Sequence, residues 1–129
     1  MPLGRPLIAL VTVTALAGCG TGVDRNRVRA ATTAFFAAHR GAVACKQLNP
    51  SLAQAIEEKH RLPSCSRAVA RVKAHRSAVA AVYVYATSAR VDLANGESVF
   101  LGKTRDGWRI DAFGCRPQAG RPYDCEEES

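Results

Sequence analysis

The spacing of apolar residues changes once along this chain, and that change limits the fold more than any other feature. Before residue 73, apolar residues recur three or four positions apart, the period of a helix with one buried face. From Val82 onward they recur two apart, the period of a half-buried strand. Val82 and Val84 alternate with Tyr83 and Tyr85, and Ala89, Val91 and Leu93 alternate with Arg90 and Asp92. Val99 and Leu101 flank Phe100, and Trp108, Ile110 and Ala112 alternate with Arg109 and Asp111. Ala86-Thr87-Ser88, Asn95-Gly96 and Asp106-Gly107 are turn sequences between these runs. A helical block followed by a meander predicts an α+β domain. About three helices should pack on one face of a curved antiparallel sheet of about four strands.

The helical block divides at its breakers. Asp24 is placed to cap a first helix whose buried stripe is Val28, Ala31, Phe35 and Ala38. His39 and Arg40 fall in its last turn, and Gly41 suits the position just past its end. Residues 42–48 can form a short turn that presents Cys45. Asn49-Pro50 is a start signal for a helix burying Leu52, Ala53 and Ile56 and fraying over residues 59–61. Ser64 or Ser66 can cap a third helix that turns Ala68, Val69 and Val72 inward. From Gly114 the chain is rich in Pro and Gly and is expected to lack regular structure, ending in Glu126-Glu127-Glu128 as a solvated acidic run.

Residues 1–18 have the parts of an export signal: Arg5 near the start, an uncharged apolar stretch over residues 7–16, then small residues. The uncharged stretch is shorter than the ~20 residues a spanning helix needs. Leu16-Ala17-Gly18-Cys19 resembles the lipobox of bacterial lipoproteins, matching its branched apolar residue, two small residues and cysteine. The resemblance implies acylation of Cys19, cleavage after Gly18 and a stable lipid anchor at the extracytoplasmic face of the cell membrane. Residues 19–23 would then be a short membrane tether and residues 24–129 a single domain.

Giving Cys19 to lipid leaves Cys45, Cys65, Cys115 and Cys125, an even number in a compartment where disulfides persist. Four cysteines allow three connectivities. The local one, Cys45–Cys65 with Cys115–Cys125, is favoured because each bond closes a short loop rich in Pro and polar residues. The second bond would pin the tail beside the last strand. A zinc site is disfavoured, since there is no C-x-x-C pair and no His at ligand spacing. No metal and no cofactor is expected.

The formal net charge is +7, with Arg supplying most of the basic residues. That Arg- and Ala-rich composition resembles actinobacterial proteins. An exported address argues against nucleic acid as the partner of this charge and points to anionic lipid or a cell-wall polymer. Arg25, Arg27 and Arg29 would lie beside the headgroups, where each basic residue contributes about 1 kcal/mol.

Helices followed by a meander that includes Asp106-Gly107-Trp108-Arg109-Ile110 resemble the NTF2-like cone fold. Gly114-Cys115-Arg116-Pro117 and Pro122-Tyr123-Asp124-Cys125 resemble the C-termini of uncharacterised actinobacterial lipoproteins. The NTF2-like resemblance implies a sheet wrapped around a pocket, with Tyr83, Tyr85, Val99, Phe100 and Trp108 as its wall. The plainer reading makes these aromatics the domain core. His39 and His60 sit near helix ends, where the dipole favours a cation, and His75 has no partner in the sequence pattern. Asp92 and Asp111 alternate with apolar residues and so point to solvent. Ser64 and Ser66 lack a nucleophile elbow, and Glu57 and Glu58 are adjacent and do not share a helix face. The expectation is a lipid-anchored, non-enzymatic binding or accessory protein with a small ligand, a wall polymer or a protein as partner. An NTF2-like enzyme using the cone pocket is the alternative.

Overall fold

The computed structural model describes residues 21–72 and 76–129. The proposed signal segment over residues 1–18, Cys19 and His75 lie outside the described residues. Four helices come first: α1 (Thr21–Ala37), α2 (Gly41–Cys45), α3 (Pro50–His60) and α4 (Cys65–Arg71). Five strands follow: β1 (Val79–Tyr85), β2 (Ser88–Leu93), β3 (Ser98–Thr104), β4 (Gly107–Gln118) and β5 (Arg121–Glu128). They form one open sheet in the order β1-β2-β3-β4-β5, every neighbouring pair antiparallel. The fold is therefore α+β, with one helix and one strand more than the sequence pattern suggested.

The helices obey their local signals with three exceptions. Asp24 lies in the first turn of α1 rather than at its cap, because the helix already begins at Thr21. Gly41 opens α2 instead of closing α1. It approaches α4 so closely that a Cβ there would lie 2.1 Å from the Ser66 carbonyl oxygen, which is why the position holds glycine. Val28, Ala31 and Phe35 are buried as the stripe predicts, and Thr32 joins them by donating its hydroxyl to the Val28 carbonyl at 2.9 Å. Asn49 caps α3 by accepting from the Ser51 N–H, with Pro50 at the first helical position. Arg61, in the left-handed region at φ 53°, ends that helix cleanly where fraying was expected. Ser64 caps α4, and the Cys45–Cys65 bond ties the end of α2 to its start.

The sheet departs from expectation after Gly114. The Pro and Gly of this segment read as breakers, yet β4 runs to Gln118 and β5 returns alongside it. Three local reasons make the hairpin possible. Gly120, at φ 66°, supplies the turn between Gln118 and Arg121. Pro122 lies on an edge strand, where a missing N–H is tolerated. Cys115 pairs directly with Cys125 across the strands, so their disulfide clamps the register. The acidic run is not wholly solvated either. Glu127 is 6% exposed and accepts from Lys59 Nζ at 3.1 Å, with His60 Nε2 at 3.0 Å from the same oxygen. These contacts pin β5 to α3. The first half of β4 has no β5 beside it. Residues 47–49 fill that gap, with Asn49 N–H donating to the Ile110 carbonyl and Ile110 N–H to the Gln47 carbonyl, both at 2.8 Å.

One face of the sheet carries Val91, Val99, Leu101, Ile110 and Phe113, all buried against Val28 and Phe35 of α1 and Leu52 and Ile56 of α3. Phe113 packs on Phe35 with ring centroids 5.0 Å apart. The chain from residue 21 to 129 thus contains this whole core and both disulfides. Replacing Cys45 and Cys65 together by Ala releases a constraint on the unfolded chain and should lower the unfolding free energy by about 3 kcal/mol in urea denaturation. An unchanged midpoint would show that the bond does not constrain the unfolded state.

Candidate functional site

Asp24 is the hub of the most elaborate polar arrangement on the helix-covered face. Its Oδ1 accepts from the Trp108 indole at 3.1 Å, and its Oδ2 pairs with Lys103 Nζ at 3.0 Å. Lys103 and Trp108 are register partners across β3 and β4, so both side chains point towards α1. The Lys103 ammonium also lies 5.8 Å from the Trp108 ring centroid. The Trp108 hydrogen bond first, then the Lys103 hydrogen bond and charge, hold the Asp24 carboxyl below its ordinary range.

A groove of about 650 Å³ opens beside this hub. Its floor includes Trp108, one wall is Arg27, Ala30 and Ala34 of α1, and the other is the β3–β4 turn from Thr104 to Gly107. Four cations line it, Arg27, Lys103, Arg105 and Arg109, against the single acid Asp106. Lys103 is engaged with Asp24, and Arg109 donates to the Trp108 carbonyl at 3.0 Å. Arg27 and Arg105 have no hydrogen-bond partner among the described residues, so their guanidinium groups are available to an anion.

The helix divides the three arginines singled out by sequence. At 3.6 residues per turn, Arg27 lies about 200° around the axis from Arg25, whereas Arg25 and Arg29 are four apart and share a side. Arg27 therefore lines the Trp108 groove, while Arg29 lines a second groove on the opposite flank of α1. All three are exposed.

The five aromatic and apolar residues expected to form one pocket wall are split between the two faces of the sheet. Val99 and Trp108 are buried on the helix side. Tyr83 and Phe100 align with Arg90 on the opposite face, and Tyr85 shares that face at 56% exposure. There Arg90 lies 4.5 Å from the Tyr83 ring centroid, and Phe100 meets Tyr123 edge-on at 5.0 Å. The split follows from the strand period, which sends consecutive side chains to opposite faces.

The titratable groups are dispersed. His60 serves Glu127, and Asp92 accepts from Ser98 Oγ at 2.8 Å and pairs with Arg90 at 3.0 Å. Asp111 is half-buried, and that burial pushes its carboxyl up against the pull of the Asn49 amide, which donates at 2.8 Å. His39 lines a cavity of about 310 Å³ at the end of α1, its Nδ1 3.4 Å from Arg76 Nη2. Among the described residues no cluster of His, Cys, Asp and Glu could hold a metal ion, and no helix is long and apolar enough to cross a membrane.

Sequence reasoning named Arg27 and Trp108 for different reasons and missed Lys103, Arg105 and Arg109. Their signal was present as three cations bracketing the Asp106-Gly107 turn. Comparison with protein-family models, curated proteins and solved structures gives no match to this chain.

Because the Asp24 carboxyl is lowered in the folded state, its stabilising contribution is present above the ordinary carboxylate pKa of about 3.9 and is lost as pH falls through the folded value. Asp24→Asn should therefore flatten the acid limb of the stability curve. The check is the unfolding free energy between pH 5 and pH 2, and equal slopes in the two proteins would remove Asp24 from this role.

Proposed function

We propose that this protein is a lipid-anchored accessory domain of the extracytoplasmic membrane surface, acylated at Cys19, that docks its basic end on anionic lipid headgroups. The observation that carries the reading is the position of the cationic groove. It runs along α1 from Arg27 to Ala34, and α1 begins at Thr21, two residues after Cys19. An anchor at Cys19 keeps the start of α1 at the surface. Arg27 lies about 9 Å further along the helix. That distance is comparable to the Debye length of about 8 Å at physiological salt, where part of the charge attraction survives screening. The β1–β2 turn lies at the same end, tied in by the Lys103 N–H donating to the Thr87 carbonyl at 2.8 Å. It brings the exposed Tyr85, an aromatic of the kind enriched at membrane interfaces.

The helices-then-meander order and the opening of β4 at Gly107-Trp108-Arg109-Ile110 support an NTF2-like relationship. An enzyme of that kind would rest on His39, the imidazole that lines a cavity. The binding role has the firmer support, because four cations converge on one groove that holds a single acid, Asp106.

Two measurements test the reading. Intact mass of the protein extracted from membranes should show a diacylglyceryl-modified Cys19 at the amino terminus, and Cys19→Ser should abolish that modification. Residues 21–129 should bind vesicles of phosphatidylglycerol in phosphatidylcholine and should release them as salt rises. Arg27→Ser with Arg105→Ser should weaken this partitioning by about 2 kcal/mol, roughly thirtyfold. A double variant that partitions as well as the parent would refute headgroup docking through the groove. Binding that survives on phosphatidylcholine alone would refute the electrostatic basis.

A further inference from the structure

The two edges of the sheet are built differently. β5 forms one edge and carries Arg121, Pro122, Asp124 and three glutamates. Charge and proline are the devices that keep an edge strand from pairing with another chain. β1 forms the other edge, and its residues, Val-Ala-Ala-Val-Tyr-Val-Tyr, include no charge, no proline and no glycine. Among the described residues β1 pairs only with β2, and no other described backbone group hydrogen-bonds to it. Among the described residues its outward N–H and C=O groups form an open ladder.

A groove of about 570 Å³ opens onto the start of this ladder. Phe36 and Ala37 of α1 form one side, and Ala78 and Val79 the other. Two cations, Arg29 and Arg76, line it, and no acid does.

We propose that the β1 edge and this groove bind an extended acidic segment of a partner protein by strand addition. The backbone of the segment would complete the ladder of β1, which supplies affinity without sequence preference. Alternate side chains point to one face, so an apolar residue reaches Phe36 and Val79 while a carboxylate two residues away meets Arg29 and Arg76. Charge decides between this occupant and a second copy of the chain. A copy paired antiparallel about Val82 would bring Tyr85 and Thr87 to the groove, neither of which is acidic, and would join two molecules that each carry a positive net charge. An acidic strand neutralises both arginines instead.

The probe is a capped seven-residue peptide with threonine at odd positions and valine, glutamate and valine at even ones. A lysine replaces the glutamate in the control peptide. Amide hydrogen exchange on residues 21–129 reads the site directly. The glutamate peptide should slow exchange of the β1 amides that do not pair with β2, and should bind about tenfold or more tightly than the lysine peptide. Arg29→Glu with Arg76→Glu should invert that preference; both arginines are exposed, and unchanged exchange in β3 and β4 checks the fold. Equal binding of the two peptides would overturn the proposal, as would absence of protection in β1. Protection that grows with protein concentration alone, with a dimer in sedimentation, would assign the edge to a second copy and also overturn it. The vesicle test depends on Arg27 and Arg105, so either idea can fail while the other stands.

Discussion

The contact between Asp24 and the Trp108–Lys103 pair sets the angle at which α1 crosses the sheet. A helix packed only through Val28, Ala31 and Phe35 could slide along an apolar surface at little cost, because dispersion and hydrophobic burial are non-directional. The carboxylate removes that freedom, since it must meet an indole N–H and an ammonium from two neighbouring strands. With the amino-terminal end fixed there and Phe35 against Phe113 further along, the helix is held at two points on the same sheet. Both flanking grooves follow, because each lies between a side of this helix and the sheet or the segment leading into it.

The polar contacts are divided between two tasks. Those at Asp24 and at Glu127 join elements distant in sequence and are shielded from water on the acid's side. Those of Arg90 with Asp92 lie on the outer sheet face and are partly exposed, where such a pair contributes little. The acid is in both joining cases the less exposed partner, at 15% and 7%, and the cation reaches in from solvent on a longer stem.

Much of the fold was legible because period and capping are local properties. Asn49-Pro50, Ser64, Asn95-Gly96 and the alternation from Val82 to Ala112 each act within a few residues, and each produced its element. The cysteine pairing was legible because both bonds are local, at separations of 20 and 10. What stayed hidden depended on partners far along the chain. Pro122 reads as a breaker unless one knows that its strand ends a sheet. Glu127 reads as solvated unless Lys59 and His60 are known to face it. The cationic groove joins Arg27 to residues about eighty positions later, and only the packed helix brings them together. The supposed pocket wall failed to assemble for the same reason: alternation specifies two faces without saying which one the helices will cover.

The sheet is a plain meander, each strand pairing with the one before it, so most of its ordering needs only short loops to close. The contacts that close last are long: 84 residues separate Asp24 from Trp108, and 67 separate His60 from Glu127. A chain emerging amino end first can cover part of the apolar stripe of α1 with α2, β1 and β2, but the contact of Phe35 with Phe113 waits until β4 is complete. For this fold the hazardous interval is set by the timing of one late strand, and a holding chaperone that shields Val28 and Phe35 would protect it through that wait.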